Sequence, residues 1–132
     1  MLRQQCLENP QHPRCDVLSI PHNPNMANGR MFTLDYGDAS LEEQRQQARL
    51  RAALEPLVEM MQAKGESECD SGFSNVVGED ELCDFEKLRG PISQYGECAE
   101  GEVGAGSMSG QGCVSRLDYA RYALIEGLRE QQ

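Results

Sequence analysis

The chain contains no tryptophan, and aromatic residues make up 5% of its 132 residues. A large aromatic core is therefore excluded. Hydrophobic residues reach 39%, below the usual share for a compact domain, so the core is expected to be thin. Positive charge is scarce as well: 12 Lys and Arg stand against 22 Asp and Glu, a formal net charge of −10. Such a surface repels phosphate backbones and anionic headgroups, which argues against nucleic acid and against a basic membrane-binding face. No stretch approaches the roughly 20 apolar residues of a membrane span. The opening MLRQQCLENPQHPRC has no apolar h-region and does not read as a signal peptide. Histidine is nearly missing, with only His12 and His22.

Cysteine, by contrast, is abundant. Six are present, at Cys6, Cys15, Cys69, Cys83, Cys98 and Cys113. An even count at this density points to disulfides in an oxidising compartment, periplasmic or secreted. Reduced buried thiols and Cys metal ligands remain as alternatives, although the lack of any C-x-x-C speaks against a zinc ribbon. Pairing of sequence neighbours would close short loops, but sequence cannot choose among the pairings.

Along the chain, residues 1–15 start helical and break at Asn9-Pro10 and His12-Pro13. Asp16 to Ile20 is a short apolar run with a β-branched bias between turn formers, which predicts a buried strand. The following segment, His22 to Gly29, is dense in Asn, Pro and Gly and reads as a loop. Ser40-Leu41-Glu42-Glu43 is a capping-box pattern. It predicts a helix through about Leu54, with Leu41, Ala48, Ala52 and Glu55 along one stripe and Pro56 as its stop. Leu57 to Met61 predicts a second strand. Residues 79–89 predict a short acidic helix with Leu82, Phe85 and Leu88 on one face. Residues 90–114 read as an exposed Gly-rich insert that Cys98–Cys113 could staple. Its segment GEVGAGSMSGQG lacks the Gly-Lys-Ser/Thr ending of a phosphate-binding loop. Ser115 to Glu130 predicts a last helix, capped by Ser115, with Leu117, Ala120, Leu124, Ile125 and Leu128 packed on the core.

Alternating strands and helices suggest parallel βα units. Two strands do not make a stable parallel sheet, so the 132 residues read as one partial α/β domain of a larger whole. Active-site residues of such folds lie at the carboxyl ends of strands. His22 follows the first strand by two residues and is the leading metal-ligand candidate. Glu59, a charge inside the second strand, needs a partner or a metal and is the second candidate. Asn23, Asn25, Lys64 and Glu68 could line one cleft as substrate-binding groups, with Lys64 meeting a phosphate or carboxylate. The chain has no H-x-H, D-x-H or H-E-x-x-H, and a catalytic metal centre takes about three protein ligands. It cannot complete such a centre from its own side chains.

The run Cys15-Asp16-Val17-Leu18-Ser19-Ile20-Pro21-His22-Asn23, continued by Asn28-Gly29-Arg30-Met31-Phe32, resembles a large bacterial family of unknown function. That family is grouped with the PHP (polymerase and histidinol phosphatase) metallo-phosphoesterases. The likeness continues at Glu55 to Glu59, Gln62 and Lys64 to Glu68. It returns at Asp80-Glu81, at Asp84 to Glu86 and at Tyr119 to Arg121, and ends at Ala123-Leu124 and Gly127-Leu128. The resemblance implies a distorted, TIM-like β/α barrel with divalent metals, Zn, Mn or Fe, at the strand ends. It also implies a phosphoester or related ester as the small-molecule substrate. His22 is similar to the mid-chain histidine of such proteins. Their opening H-x-H and closing D-x-H would lie outside these residues, with the rest of the barrel, so this chain alone is expected to be inactive and to bind no metal fully. Pro24 departs from the pattern, which has a small polar residue there. Export, common in the family, suits six cysteines. The competing expectations are a non-catalytic secreted binding module stabilised by disulfides, and a truncated product without function.

Overall fold

The computed structural model describes residues 3–33, 36–74, 80–90, 92–99, 102, 104 and 112–129. Two compact units emerge: Met1–Pro21 with Tyr36–Val58, and His22–Asp35 with Glu59–Gln132.

The first unit begins with a π-helical turn, Arg3–Leu7. The Asn9 side chain bridges the turn that follows, donating to the Gln5 carbonyl and accepting from the Gln11 N–H. A disulfide joins Cys6 to Cys15. The expected strand at Asp16 to Ile20 is not formed: the segment is unassigned, and Leu18 and Ile20 are exposed. Within the unit, the Ser19 N–H donates to the Leu54 carbonyl, and one bond does not make a ladder.

The capping box predicts helix α1, Leu41–Leu54, correctly. Ser40 Oγ accepts from the Glu43 N–H at 3.3 Å, and Glu43 reaches back to the Ser40 N–H at 2.8 Å. The expected buried stripe is a different matter. No residue of α1 is buried, and Leu41 is 62% exposed. Two of its four members are alanines, which offer little apolar area to remove from water. Local bonds therefore dominate α1: the capping box, and the Arg51–Glu55 pair at 3.1 Å.

In the second unit, strands β1 (Met61–Gln62) and β2 (Gly65–Glu66) form an antiparallel hairpin, with Met61 opposite Glu66. Gly65 at φ +94 closes the turn, where an added Cβ would meet the Glu86 carbonyl oxygen at 2.7 Å. The expected strand at Leu57 to Met61 thus shifts: pairing begins at Met61 because the turn sets the register, and Glu59 lies ahead of it. Among the described residues this hairpin is the one sheet, beside an isolated parallel bridge between Glu97 and Val114.

Behind the hairpin lies the core. Phe73, Tyr119 and Tyr122 meet edge to face with centroids 5.0–6.5 Å apart, surrounded by Ile92, Val114 and the Cys69–Cys83 disulfide. Both tyrosine hydroxyls are satisfied inside it, Tyr119 on Asp70 Oδ2 at 3.0 Å and Tyr122 on the Asp70 carbonyl at 2.7 Å. A scarce aromatic supply is thus concentrated in one place.

Of the helix expected over 79–89, one 3₁₀ turn forms, Glu81–Asp84, capped by Asp80; Glu79 lies outside the described residues. Leu82, Phe85 and Leu88 are exposed. The helix cannot continue because the Glu86 carbonyl accepts from the Glu66 N–H and Glu86 itself is left-handed at φ 47. The insert at 90–114 is less irregular than expected. Helix α2, Ile92–Tyr95, buries Ile92, and Val114 is buried beside the Cys98–Cys113 disulfide. Most of the Gly-rich run lies outside the described residues.

A 3₁₀ turn, Arg116–Asp118, leads into helix α3, Ala120–Arg129. Ser115 caps it as expected, donor to acceptor at 3.2 Å from the Leu117 N–H. The buried face keeps Ala120 of the expected stripe and otherwise differs from it: Tyr119 and Tyr122 point inward, while Leu124, Ile125 and Leu128 are exposed. The Ala120 and Arg121 N–H groups donate to the Ser67 and Glu68 carbonyls at 2.9 Å. That docking of the helix start fixes which face turns to the core. No described helix is long and apolar enough to cross a membrane.

Candidate functional site

The loop from His22 to Gly29 and the hairpin with its flanks, Glu59 to Cys69, are laced together within the second unit. Asn23 adopts a left-handed conformation, φ 53, which Asn tolerates better than most residues. Pro24, the departure from the family pattern, starts the 3₁₀ turn Pro24–Met26, where its fixed φ is favourable and no N–H is required. Asn25 is buried at 2% exposure. Its backbone N–H donates to Ser67 Oγ at 3.4 Å and its Nδ2 to the Lys64 carbonyl at 2.9 Å.

His22 Nδ1 lies against Glu59 Oε2. The imidazole is 59% exposed and the carboxylate 31%. A carboxylate beside one ring nitrogen leaves Nε2 as the ring nitrogen available to a ligand. Of the sequence candidates, His22 with Glu59, and Asn25 with Lys64, are brought together by direct contacts. Asn23 sits between them in sequence. Glu68 is engaged elsewhere, in a 2.6 Å ion pair with Arg121, which also binds Asp80 at 2.9 Å. Hydrogen bonds donated to Glu68 and Asp80 push the Arg121 guanidinium further toward its charged form, against desolvation.

Two groups of three potential metal ligands lie within 4.8 Å of one another: Cys69, Asp80 and Cys83, and Cys98, Glu102 and Cys113. In both, the cysteines are joined as disulfides and offer no thiolate. Among the described residues no third His, Cys, Asp or Glu joins His22 and Glu59 in such a group. These residues fit one ligand and its orienting carboxylate, not a whole metal centre.

Behind the loop stands a buried clasp that no sequence pattern announced. Asp118 is fully buried. Its Oδ1 accepts from the Gly29 N–H at 2.6 Å, and its Oδ2 from Arg89 Nη1 at 3.1 Å. Arg89 also donates to the Cys113 and Gly112 carbonyls at 2.9 and 3.2 Å. Burial pushes the Asp118 carboxyl up to about 6, with the Gly29 N–H and Arg89 pulling it back. Gly29 is required here: φ is +76, and a Cβ would meet Ser115 Oγ at 2.6 Å. Asp118 reads in sequence as the third residue after a cap, which gives no hint of its partners. Beyond the core, Glu97 is bound by Arg116 and by both Ser74 donors. Desolvation raises its carboxyl, but the Arg116 and Ser74 hydrogen bonds prevail and hold it down at about 2.

No curated protein and no solved structure matches the chain. A protein family described as "Protein of unknown function (DUF3604)" matches residues 3–132. With nearly every residue inside that match, the chain belongs to the DUF3604 family.

Proposed function

We propose that this chain carries one corner of the active centre of a metal-dependent hydrolase acting on a phosphoester or related ester. The supporting observation is the His22–Glu59 pair: an exposed imidazole with Nδ1 against a carboxylate, which leaves Nε2 for a ligand role. The PHP-like grouping and the partial β/α barrel belong to the same proposal. A divalent ion of the Zn, Mn or Fe class would supply water activation and charge stabilisation there. His22 would be its ligand, Glu59 would orient His22, Asn23 and Lys64 would face the substrate side, and the buried Asn25 would brace the loop, while Glu68 stays with Arg121. With two histidines in the chain, the remaining ligands come from other residues of the parent protein, and the chain alone is inactive.

The test is hydrolysis of bis(4-nitrophenyl) phosphate by a DUF3604 protein containing this segment, with His22→Ala and Glu59→Gln compared. Metal-dependent turnover lost in His22→Ala and reduced about 10- to 100-fold in Glu59→Gln is expected. Full turnover by His22→Ala would sink the proposal.

A second reading is a disulfide-stabilised extracellular binding module. It is favoured by the pairing of all six cysteines, with none free. It predicts no metal-dependent turnover in any member, and a cooperative melt that reduction abolishes.

A further inference from the structure

The three disulfides differ in how far a reagent can reach them. Cys69 and Cys83 are sealed in the aromatic core, 1% and 2% exposed. Cys98 and Cys113 are each partly exposed, and their bridge joins residues 15 apart in sequence. Cys6–Cys15, with Cys15 exposed, belongs to the first unit. Thiol–disulfide exchange needs an attacking sulfur to arrive at a bridge sulfur, so access decides which bridge reacts in the folded chain.

Within the second unit, the accessible bridge is tied to the end of the His22 loop by two routes. Gly104, between the two cysteines in sequence, donates its N–H to the Asn28 carbonyl at 3.2 Å. It is closely packed there: an added Cβ would meet the Cys113 carbonyl oxygen at 2.7 Å and Asn28 Oδ1 at 3.1 Å. The second route runs through the clasp. Arg89 Nη2 donates to the Cys113 and Gly112 carbonyls at 2.9 and 3.2 Å, while Nη1 holds Asp118 Oδ2 and Asp118 Oδ1 holds the Gly29 N–H. Both routes end on Asn28 and Gly29. Backbone bonds flanking the bridge do not need the S–S bond: the Cys98 N–H donates to the Val114 carbonyl, and the Val114 N–H to the Gly96 carbonyl. With the sealed Cys69–Cys83 bridge, they keep the core in place when the outer bridge opens.

We infer that Cys98–Cys113 is a redox modification site whose reagent is an uncharged dithiol, and that its opening loosens the Asn28–Gly29 end of the His22 loop. A thiolate of the reagent attacks one bridge sulfur, the S–S bond breaks, and a mixed disulfide forms. The second thiol of the reagent then attacks its own sulfur in that mixed disulfide and releases the cysteine. Cys98 and Cys113 end as two thiols, having gained two electrons and two protons, and the reagent leaves as a cyclic disulfide. A Glu102 carboxylate oxygen lies within 4.8 Å of both sulfurs and repels acidic thiols, which favours an uncharged reagent. The inference does not rest on the hydrolase reading.

The test uses the folded full chain with dithiothreitol as the reagent. Freed thiols are alkylated and mapped by mass spectrometry, and amide exchange is followed by NMR. Cys98 and Cys113 are expected to be labelled while Cys69 and Cys83 stay bridged. The Gly29 amide is then expected to exchange about tenfold faster or more, since the closed loop no longer limits its opening. The Ala120 amide, held by the Ser67 carbonyl, is expected to keep its rate. Reoxidation should restore Gly29. The same Gly29 response is expected in Cys6→Ser with Cys15→Ser and, without any reagent, in Cys98→Ser with Cys113→Ser. Labelling of Cys69 and Cys83 first, or none of Cys98 and Cys113, overturns the inference. So does an unchanged Gly29 rate once Cys98 and Cys113 are labelled. A response lost in Cys6→Ser with Cys15→Ser belongs to the other bridge and overturns it too. Equal acceleration of Gly29 and Ala120 overturns it as well, because the bridge is then a staple for the whole unit.

Discussion

Helix α1 and the Phe73–Tyr119–Tyr122 core are held by different physics. The contacts that define α1 are mostly local: a capping box at one end and an i,i+4 ion pair at the other, with no buried side chain between them, beside one backbone bond from the Ser19 N–H to the Leu54 carbonyl. The core is the reverse, since Tyr119 bonds to Asp70 and Asp118 to Gly29, 49 and 89 residues apart. Local bonds define a helix but contribute only tenths of a kcal/mol to about 1 kcal/mol each. Long-range buried bonds fix which residues meet, and breaking one leaves its partner stranded.

The sharpest way to break this contrast is Asp118→Ala. It strands Arg89, whose side chain is 6% exposed, and frees the Gly29 N–H. A loss of about 3–5 kcal/mol in urea unfolding is expected. A loss under about 1 kcal/mol would mean that the clasp does not hold the second unit.

Next comes the pair Cys69→Ala with Cys83→Ala. That bridge lies in the core, and its removal is expected to cost about 2–4 kcal/mol. Calorimetric melting should show it, with the helical signal of α1 lost in the same transition only if the two regions unfold together.

Acidity separates two carboxyls with opposite signs. Asp118 has its folded value raised, to about 6 from 3.8, so its contribution is full below pH 3.8 and is lost as pH rises toward 6. Glu97 has its folded value lowered, to about 2 from 4.5, so its contribution is present above pH 4.5 and is lost as pH falls toward 2. Melting temperatures between pH 2 and 7 are expected to peak near pH 4 on these two groups. Asp118→Asn should flatten the upper side of that curve; an unchanged slope would show that Asp118 does not titrate there.

The smallest effect belongs to α1. Ser40→Ala removes both the acceptor for the Glu43 N–H and the Ser40–Glu43 side-chain bond. A cost of about 1 kcal/mol is expected, read as lost helical circular dichroism on heating. The core's near-ultraviolet signal should stay as it was, since α1 buries nothing in its own unit.

How far the sequence could be read follows the same division. The α1 boundaries were legible because a capping box and a proline act on their immediate neighbours. The His22 loop was legible as a loop because Asn, Pro and Gly each carry a backbone preference of their own. The strand expected at Asp16 to Ile20 failed because a strand exists only beside a partner, and an apolar run does not name one. Beyond Ala120 the α3 stripe failed for a related reason: Leu124, Ile125 and Leu128 have helical spacing, but the docking of Ala120 and Arg121 on the hairpin exit chose the tyrosine face instead. Glu59 was legible as a charge that needs a partner, and that partner is His22.

The sequence by itself determined where α1 starts and stops, that residues 22–29 turn, and that family membership is recognisable over residues 3–132. Short-range sterics and caps suffice for the first two, and ordered motif matches for the third. Tertiary structure alone decided the cysteine pairing, the aromatic core and the Arg89–Asp118 clasp. Each depends on which distant segments share a buried volume, and burial is what turns an ordinary Asp, Asn or Tyr into a group with one required partner.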